Sequence, residues 1–227
     1  MKVAAWSDGH GILPVIHEKV DIVIIAGDLI YIDVQRDNYE SKKWLREIFL
    51  PYIKKLDCDK VIMTPGNHDY IFQRMQEGEF NEMIKAHGLE DKLIYLEDSS
   101  YEYKGLKFYG CPWCTGPLGW AFSPNRIIPD ISDKYEAIPV CDILISHQPP
   151  NVDKVGCSYP YQPSERNFGS DRLRNAIEKN HIRYNVCGHI HSGIHNGIQY
   201  GDCMIYNVSL LDEDYESTYN VTYFEVC

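Results

Sequence analysis

Five stretches of the sequence place side chains able to hold a metal ion directly after an apolar, β-branched run. Asp8 and His10 follow Lys2–Trp6, Asp28 follows Asp21–Ile25, and Asn67, His68 and Asp69 follow Lys60–Met63. His147 follows Asp142–Ile145, and His189 and His191 follow Tyr184–Cys187. Imidazole mixed with carboxylate and amide oxygen, without thiolate, suits Mn, Fe, Zn or similar borderline ions. One carboxylate can bridge two ions, and a pair ~3.5–4 Å apart can clamp both the attacking and leaving oxygens of an in-line displacement. Such a site lowers the pKa of a bound water from ~15.7 towards ~7. Each short motif is weak alone. A lone histidine is more often a hydrogen-bonded core or surface residue, and Asp8 and Asp28 could be turn residues or helix caps. The whole ordered set points to metal chemistry.

The elements that would carry these residues follow an α/β pattern, in which short apolar strands alternate with helical stretches. Further strands are expected at Leu93–Leu96 and Leu106–Tyr109, with two antiparallel ones at Cys203–Val208 and Tyr219–Val226. In open α/β sheets the C-terminal strand ends form the ligand edge, so the five loaded ends should converge there. A helix is expected over residues 39–56, with Leu45, Ile48, Phe49, Tyr52, Ile53 and Leu56 on one stripe and Pro51 kinking or interrupting it. A second, over 170–180, has Ser170 as N-cap and buries Leu173, Ala176 and Ile177. Residues 111–132 and 149–168 read as long ordered loops. The acidic stretch Asp212–Glu216 reads as a solvated turn. No repeat or linker divides the chain, so residues 1–227 are expected to form one domain.

A net charge of −11 argues against an extended nucleic-acid surface, which needs clustered Lys and Arg. It leaves a small phosphate substrate open, because bound cations would reverse the local field. No apolar run is long enough to cross a bilayer and no leader is evident, so a cytoplasmic protein without a membrane partner is expected. The eight cysteines, irregularly spaced, then read as free thiols.

The ordered set Asp8-x-His10, Gly27-Asp28, Gly66-Asn67-His68-Asp69, His147 and Gly188-His189-x-His191 resembles the calcineurin-like metallophosphoesterase superfamily. Tyr109-Gly110-Cys111-Pro112-Trp113, Trp120-Ala121-Phe122 and Ser146-His147-Gln148-Pro149-Pro150 resemble one branch more narrowly, the small metallophosphoesterase-domain phosphodiesterases. The resemblance implies a four-layer α/β/β/α sandwich of two mixed sheets flanked by helices. It implies one metal on Asp8, His10, Asp28 and His191, and a second on Asp28, Asn67, His147 and His189, with Asp28 as the bridge. His68 would protonate the leaving oxygen while Asp69 orients its ring, and a bridging hydroxide would attack phosphorus. The branch implies small phosphodiesters, cyclic nucleotides among them, as substrates. A phosphomonoesterase and a non-catalytic binding scaffold are the alternatives. Gly27-Asp28 continues as Leu29-Ile30-Tyr31, without the Asp-Arg-Gly of the protein serine/threonine phosphatases of this superfamily, which weakens a phosphoprotein substrate.

Three further features have competing readings. Cys111-Pro112-Trp113-Cys114 mimics a redox pair, but Thr115-Gly116-Pro117 is poor helix chemistry, so loop packing is preferred. Trp113, Trp120 and Phe122 could wall a substrate pocket or simply bury a loop. His195 could extend His189 and His191 into a zinc cluster, but is read as an ordinary loop or strand histidine.

Overall fold

The computed structural model describes residues 1–227. One sheet contains β1 (Lys2–Trp6), β2 (Val20–Ala26), β3 (Cys58–Thr64) and β4 (Leu93–Tyr95), mutually parallel, with β13 (Thr222–Glu225) antiparallel to β1. The other contains parallel β6 (Leu106–Cys111), β7 (Ile143–Ser146), β10 (Tyr184–Cys187) and β12 (Cys203–Asn207). Its edges are antiparallel: β5 (Ser99–Tyr103) on β6 and β11 (Ile198–Tyr200) on β12. A two-residue ladder, β8 (Cys157–Ser158) with β9 (Arg166–Asn167), stiffens the 149–168 loop.

Strand alternation builds the layers. Val3, Ala5, Ile22, Ile24 and Ile62 meet Phe108, Ile143, Ile145 and Val186 in one apolar cluster between the sheets. Their neighbours Ala4, Trp6, Val23, Ile25 and Met63 join a second cluster that contains the helix residues Trp44, Leu45, Phe49 and Ile53. Strands buried on both faces read as continuous hydrophobic runs, as parallel strands usually do. The outcome is the expected α/β sandwich: helix, sheet, sheet, helix.

The helix expected over 39–56 is three pieces: α1 (Asn38–Trp44), a π turn (Leu45–Phe49) and α2 (Leu50–Lys55). Pro51 has no N–H to donate, and its ring would crowd the carbonyl four residues back. The chain widens instead, with the Leu50 N–H reaching Leu45 O. Three further short helices are α3 (Tyr70–Arg74), α4 (Glu79–Ala86), with Phe80, Met83 and Ile84 on its inner face, and α5 (Ser132–Glu136). The last helix, α6 (Asp171–Lys179), is capped by Ser170 Oγ, which accepts from Leu173 N at 3.2 Å, and it buries Leu173, Ala176 and Ile177. One strand expectation is corrected: β12 is parallel to β10 and antiparallel only to β11, because the chain re-enters the sheet beside a parallel core strand.

Candidate metal centre

β1, β2, β3, β7 and β10 end at one edge of the two stacked sheets, and the loops leaving them carry the predicted side chains. The loops are laced together by main chain: Asp8 N–H donates to Gly27 O and His10 N–H to Asp28 O, each at 3.0 Å. Asp8, His10, Asp28 and His189 all have positive φ, between 42° and 68°. Such backbone is uncommon outside glycine and costs on the order of 1–3 kcal/mol per residue, which the surrounding bonds must hold in place. Close approach also dictates two glycines. A Cβ on Gly188 would lie 2.2 Å from Asp8 Oδ2, and one on Gly66 would lie 2.3 Å from Asp28 Oδ1.

The ligating atoms converge. Asp8, His10 and His191 offer atoms within 4.8 Å of one another, and so do Asp8, Asp28 and His147. Asp28 Oδ2 sits 3.7 Å from His10 Nε2 and 3.3 Å from His147 Nε2, between the two groups. Asp8 Oδ2 is already taken by Ser7 Oγ at 2.5 Å and Ser209 Oγ at 2.7 Å. Asp28 Oδ1 accepts from the His68 N–H at 2.7 Å, and no donor other than imidazole faces its Oδ2. Asp8 is common to both groups, and Asp28 is the carboxylate whose oxygen between His10 and His147 is the freer.

Tautomers are set from outside. His147 Nδ1 bonds Ala26 O and His191 Nδ1 bonds Asp212 O, both at 2.8 Å, turning Nε2 of each ring inward. Neither ring nitrogen of buried His10 has a partner, nor does Asn67 Nδ2. Buried polar atoms are rarely left so, and the open imidazole of His10 fits cation binding, while Asn67 can offer an ion only its Oδ1, 2.9 Å from His147 Nε2. The electrostatics agree. Burial pushes His10 down to about 4 and His189 down to about 3. Burial also opposes the cations of His147 and His191, but the carboxylates of Asp28 and Asp8 respectively outweigh it and lift each to about 9. Asp28 stays well below the usual carboxylate range against its own burial, chiefly through His147.

Asp69 requires a correction. Its Oδ1 accepts from Leu29 N and Ile30 N at 2.9 and 3.0 Å, and its Oδ2 from Gly66 N at 2.8 Å. It ties the loop after β3 to the loop after β2, and the ring of His68 is held instead by Gln35, Oε1 to Nδ1 at 2.6 Å. The sequence carried no signal for Gln35.

Comparison with known proteins decides the family. The calcineurin-like phosphoesterase profile matches residues 10–193. A Caenorhabditis elegans UPF0046 protein is 30% identical over 96% of this chain and 76% of its own length. Human metallophosphoesterase domain-containing protein 1 is 28% identical over 76% of this chain and 55% of its own. The chain belongs to the calcineurin-like phosphoesterase family. It spans about half the length of the human relative. Among solved structures, the phosphopantetheinyl hydrolase of Mycobacterium tuberculosis superposes with a TM-score of 0.58 at 15% identity, covering 94% of this chain and 90% of the other. A Thermus thermophilus protein gives 0.55 at 13%, covering 91% and 88%. These show the fold.

Around this calcineurin-like centre the aromatics divide. Trp120 stands 5.7 Å from both His68 and His189, ring centroid to ring centroid. Trp113 and Phe122 are buried against each other, with Trp113 Nε1 donating to Asp98. The acidic turn is more than solvated surface. Tyr215 packs edge-on against His10 and His191, at 5.1 and 5.4 Å, and Glu213 accepts from Ser192 Oγ at 2.7 Å. Gln148, which the sequence marks only as part of a branch motif, is buried, accepts from Thr115 N and donates to Phe168 O, both at 2.9 Å, joining the two long loops over the site. His195 stacks on Tyr219 and bonds His191 O. Cys111 and Cys114 are unpaired and fully buried, and burial pushes both thiols well up.

Proposed function

We propose that the chain hydrolyses small phosphodiesters, and the observation that carries this is the convergence of buried Asp8, Asp28, His10, His147 and His191 beside His68. Asp8, His10, Asp28 and His191 would hold one ion, and Asp28, Asn67, His147 and His189 a second, with Mn, Fe or Zn suited to the donor set. Bound there, two ions supply Lewis acidity towards the phosphoryl oxygens and a nucleophile at neutral pH.

The chain's own residues do the rest. Water oxygen bonds to phosphorus, the bond from phosphorus to the departing ester oxygen breaks, and His68 gives that oxygen a proton. The proton lost by water restores His68, and the products are a monoester and an alcohol. Gln35 fixes Nδ1 of the ring, which leaves Nε2 for the cleft. Trp120 and Tyr215 flank the imidazoles. Cyclic nucleotides fall within the diester class that the branch motifs suggest. The eight unpaired thiols fit a reducing cytoplasm, and no helix is long and apolar enough to cross a membrane.

The test strips the protein with chelator, reloads it with Mn, Fe, Zn or Ni, and offers matched aryl phosphate mono- and diesters. Diester turnover should return with metal and fall about 100-fold or more in His68→Ala. It should be abolished in Asp28→Asn. Monoester preference would make the protein a phosphatase, and no turnover with any metal would make it a binding scaffold.

A further inference from the structure

Two cavities open on the centre, one on each side of the same pair of residues. The first, about 390 Å³, reaches the site at Asp28, Asn67 and His189 and runs out past Pro117, Trp120 and Phe168. The second, about 440 Å³, reaches it at His10 and runs out past Ile12, Tyr31, Ile32 and Leu211. His68 and Tyr215 border both. Each is large enough for one small organic group, since ligand pockets run from ~300 Å³ upward.

The walls define what fits. Ile12, Tyr31, Phe168 and Tyr215 are large apolar side chains left exposed, and all four border these lobes. No lysine or arginine lines either one, whereas Glu213 lines the first and Asp33 the second. A substrate arm with its own negative charge would meet carboxylates and no cation. A phosphate monoester would leave one lobe empty.

We infer that the substrate is a phosphodiester with two separate organic arms, one seated in each lobe, neither carrying further negative charge. This rests on the phosphodiesterase reading and narrows it. Hydrolysis frees the arm in one lobe as the alcohol and leaves the other on a monoester, which fills only half the cleft and so departs.

The test uses manganese-loaded protein and esters sharing p-nitrophenolate as leaving group: phenyl, methyl, 2-aminoethyl and 2-carboxyethyl p-nitrophenyl phosphate, and p-nitrophenyl phosphate. Each rate is normalised to hydrolysis in alkali. The phenyl ester should exceed the methyl ester about tenfold in kcat/KM, the worth of burying one ring. The monoester should be slower than both. Of Trp120→Ala and Tyr31→Ala, one should slow the phenyl and methyl esters alike, and the other should collapse their ratio. The aminoethyl ester should outrun the carboxyethyl ester, and one of Asp33→Lys and Glu213→Lys, the one in the lobe that takes this arm, should reverse that order. Calorimetry with His68→Ala gives a readout independent of turnover, and diphenyl phosphate should bind about tenfold tighter than methyl phenyl phosphate. Turnover with equal phenyl and methyl rates, or with the monoester fastest, overturns the two-lobe inference and leaves hydrolysis standing. Absence of all turnover with the calorimetric preference intact overturns hydrolysis and leaves the lobes standing.

Discussion

At the scale of single residues, the site separates into groups that would touch ions or substrate and groups that hold them. Asp69 belongs with the second. Three backbone N–H groups end on its two oxygens, so Asp69→Asn sets an amide donor against a donor in a fully buried place. Losing one such charged interaction and leaving a donor unmet costs on the order of 3 kcal/mol. In a chain of this length that is a fall in Tm of about 6–12 °C. Thermal unfolding of the metal-free protein measures it. An unchanged Tm with a collapsed kcat would return Asp69 to the role of steering His68. The sequence showed Asp69 beside His68 but not the direction in which its carboxylate points. That direction depends on Leu29 and Ile30, about forty positions away, and Gln35, which does hold the ring, stands in no motif.

At the scale of elements, the parallel strand ends made the site legible. β1, β2 and β7 are largely apolar runs because both their faces are buried, β3 and β10 turn apolar towards their C-terminal ends, and the chemistry follows each run closely. Edge strands were harder to read. β5 alternates half-buried and exposed residues, and β11 is three residues long. Helices α3 and α5, five residues each, are too short for a clear stripe, whereas α4 carries a short one in Phe80, Met83 and Ile84. Tyr215 lay hidden because its turn looks acidic and solvated, while its positive φ of 63° folds the ring back over His10 and His191. The approach of the β10 loop to the β1 loop gives an element-scale prediction. Gly188→Ala would place a methyl 2.1 Å from Ser7 Oγ and 2.2 Å from Asp8 Oδ2, prising the loops apart. Metal affinity measured by calorimetry should fall about 10–100-fold, the range seen when groups supporting a ligand are disturbed. Affinity equal to the parent's would show that Asp8 is not held against this backbone.

At the scale of the whole molecule, eight unpaired cysteines sit in an acidic α/β sandwich with the metal-ligand set at one sheet edge. Burial raises Cys58 to about 11, and Cys111 and Cys114 are out of reach, whereas Cys227 is exposed. Iodoacetamide at pH 8 should therefore modify Cys227 first and leave Cys111 and Cys114 untouched until the protein unfolds, with phosphoesterase turnover unaltered. Peptide mapping by mass spectrometry reads the order, and loss of turnover upon modification of Cys111 or Cys114 would revive the thiol chemistry their spacing mimics. The central claim is that two ions share Asp28. Elemental analysis of the reloaded, desalted protein tests it most directly. The account predicts about two equivalents of metal per chain, falling to one or fewer in Asp28→Asn. No retained metal in the parent, or two equivalents persisting in Asp28→Asn, would contradict it.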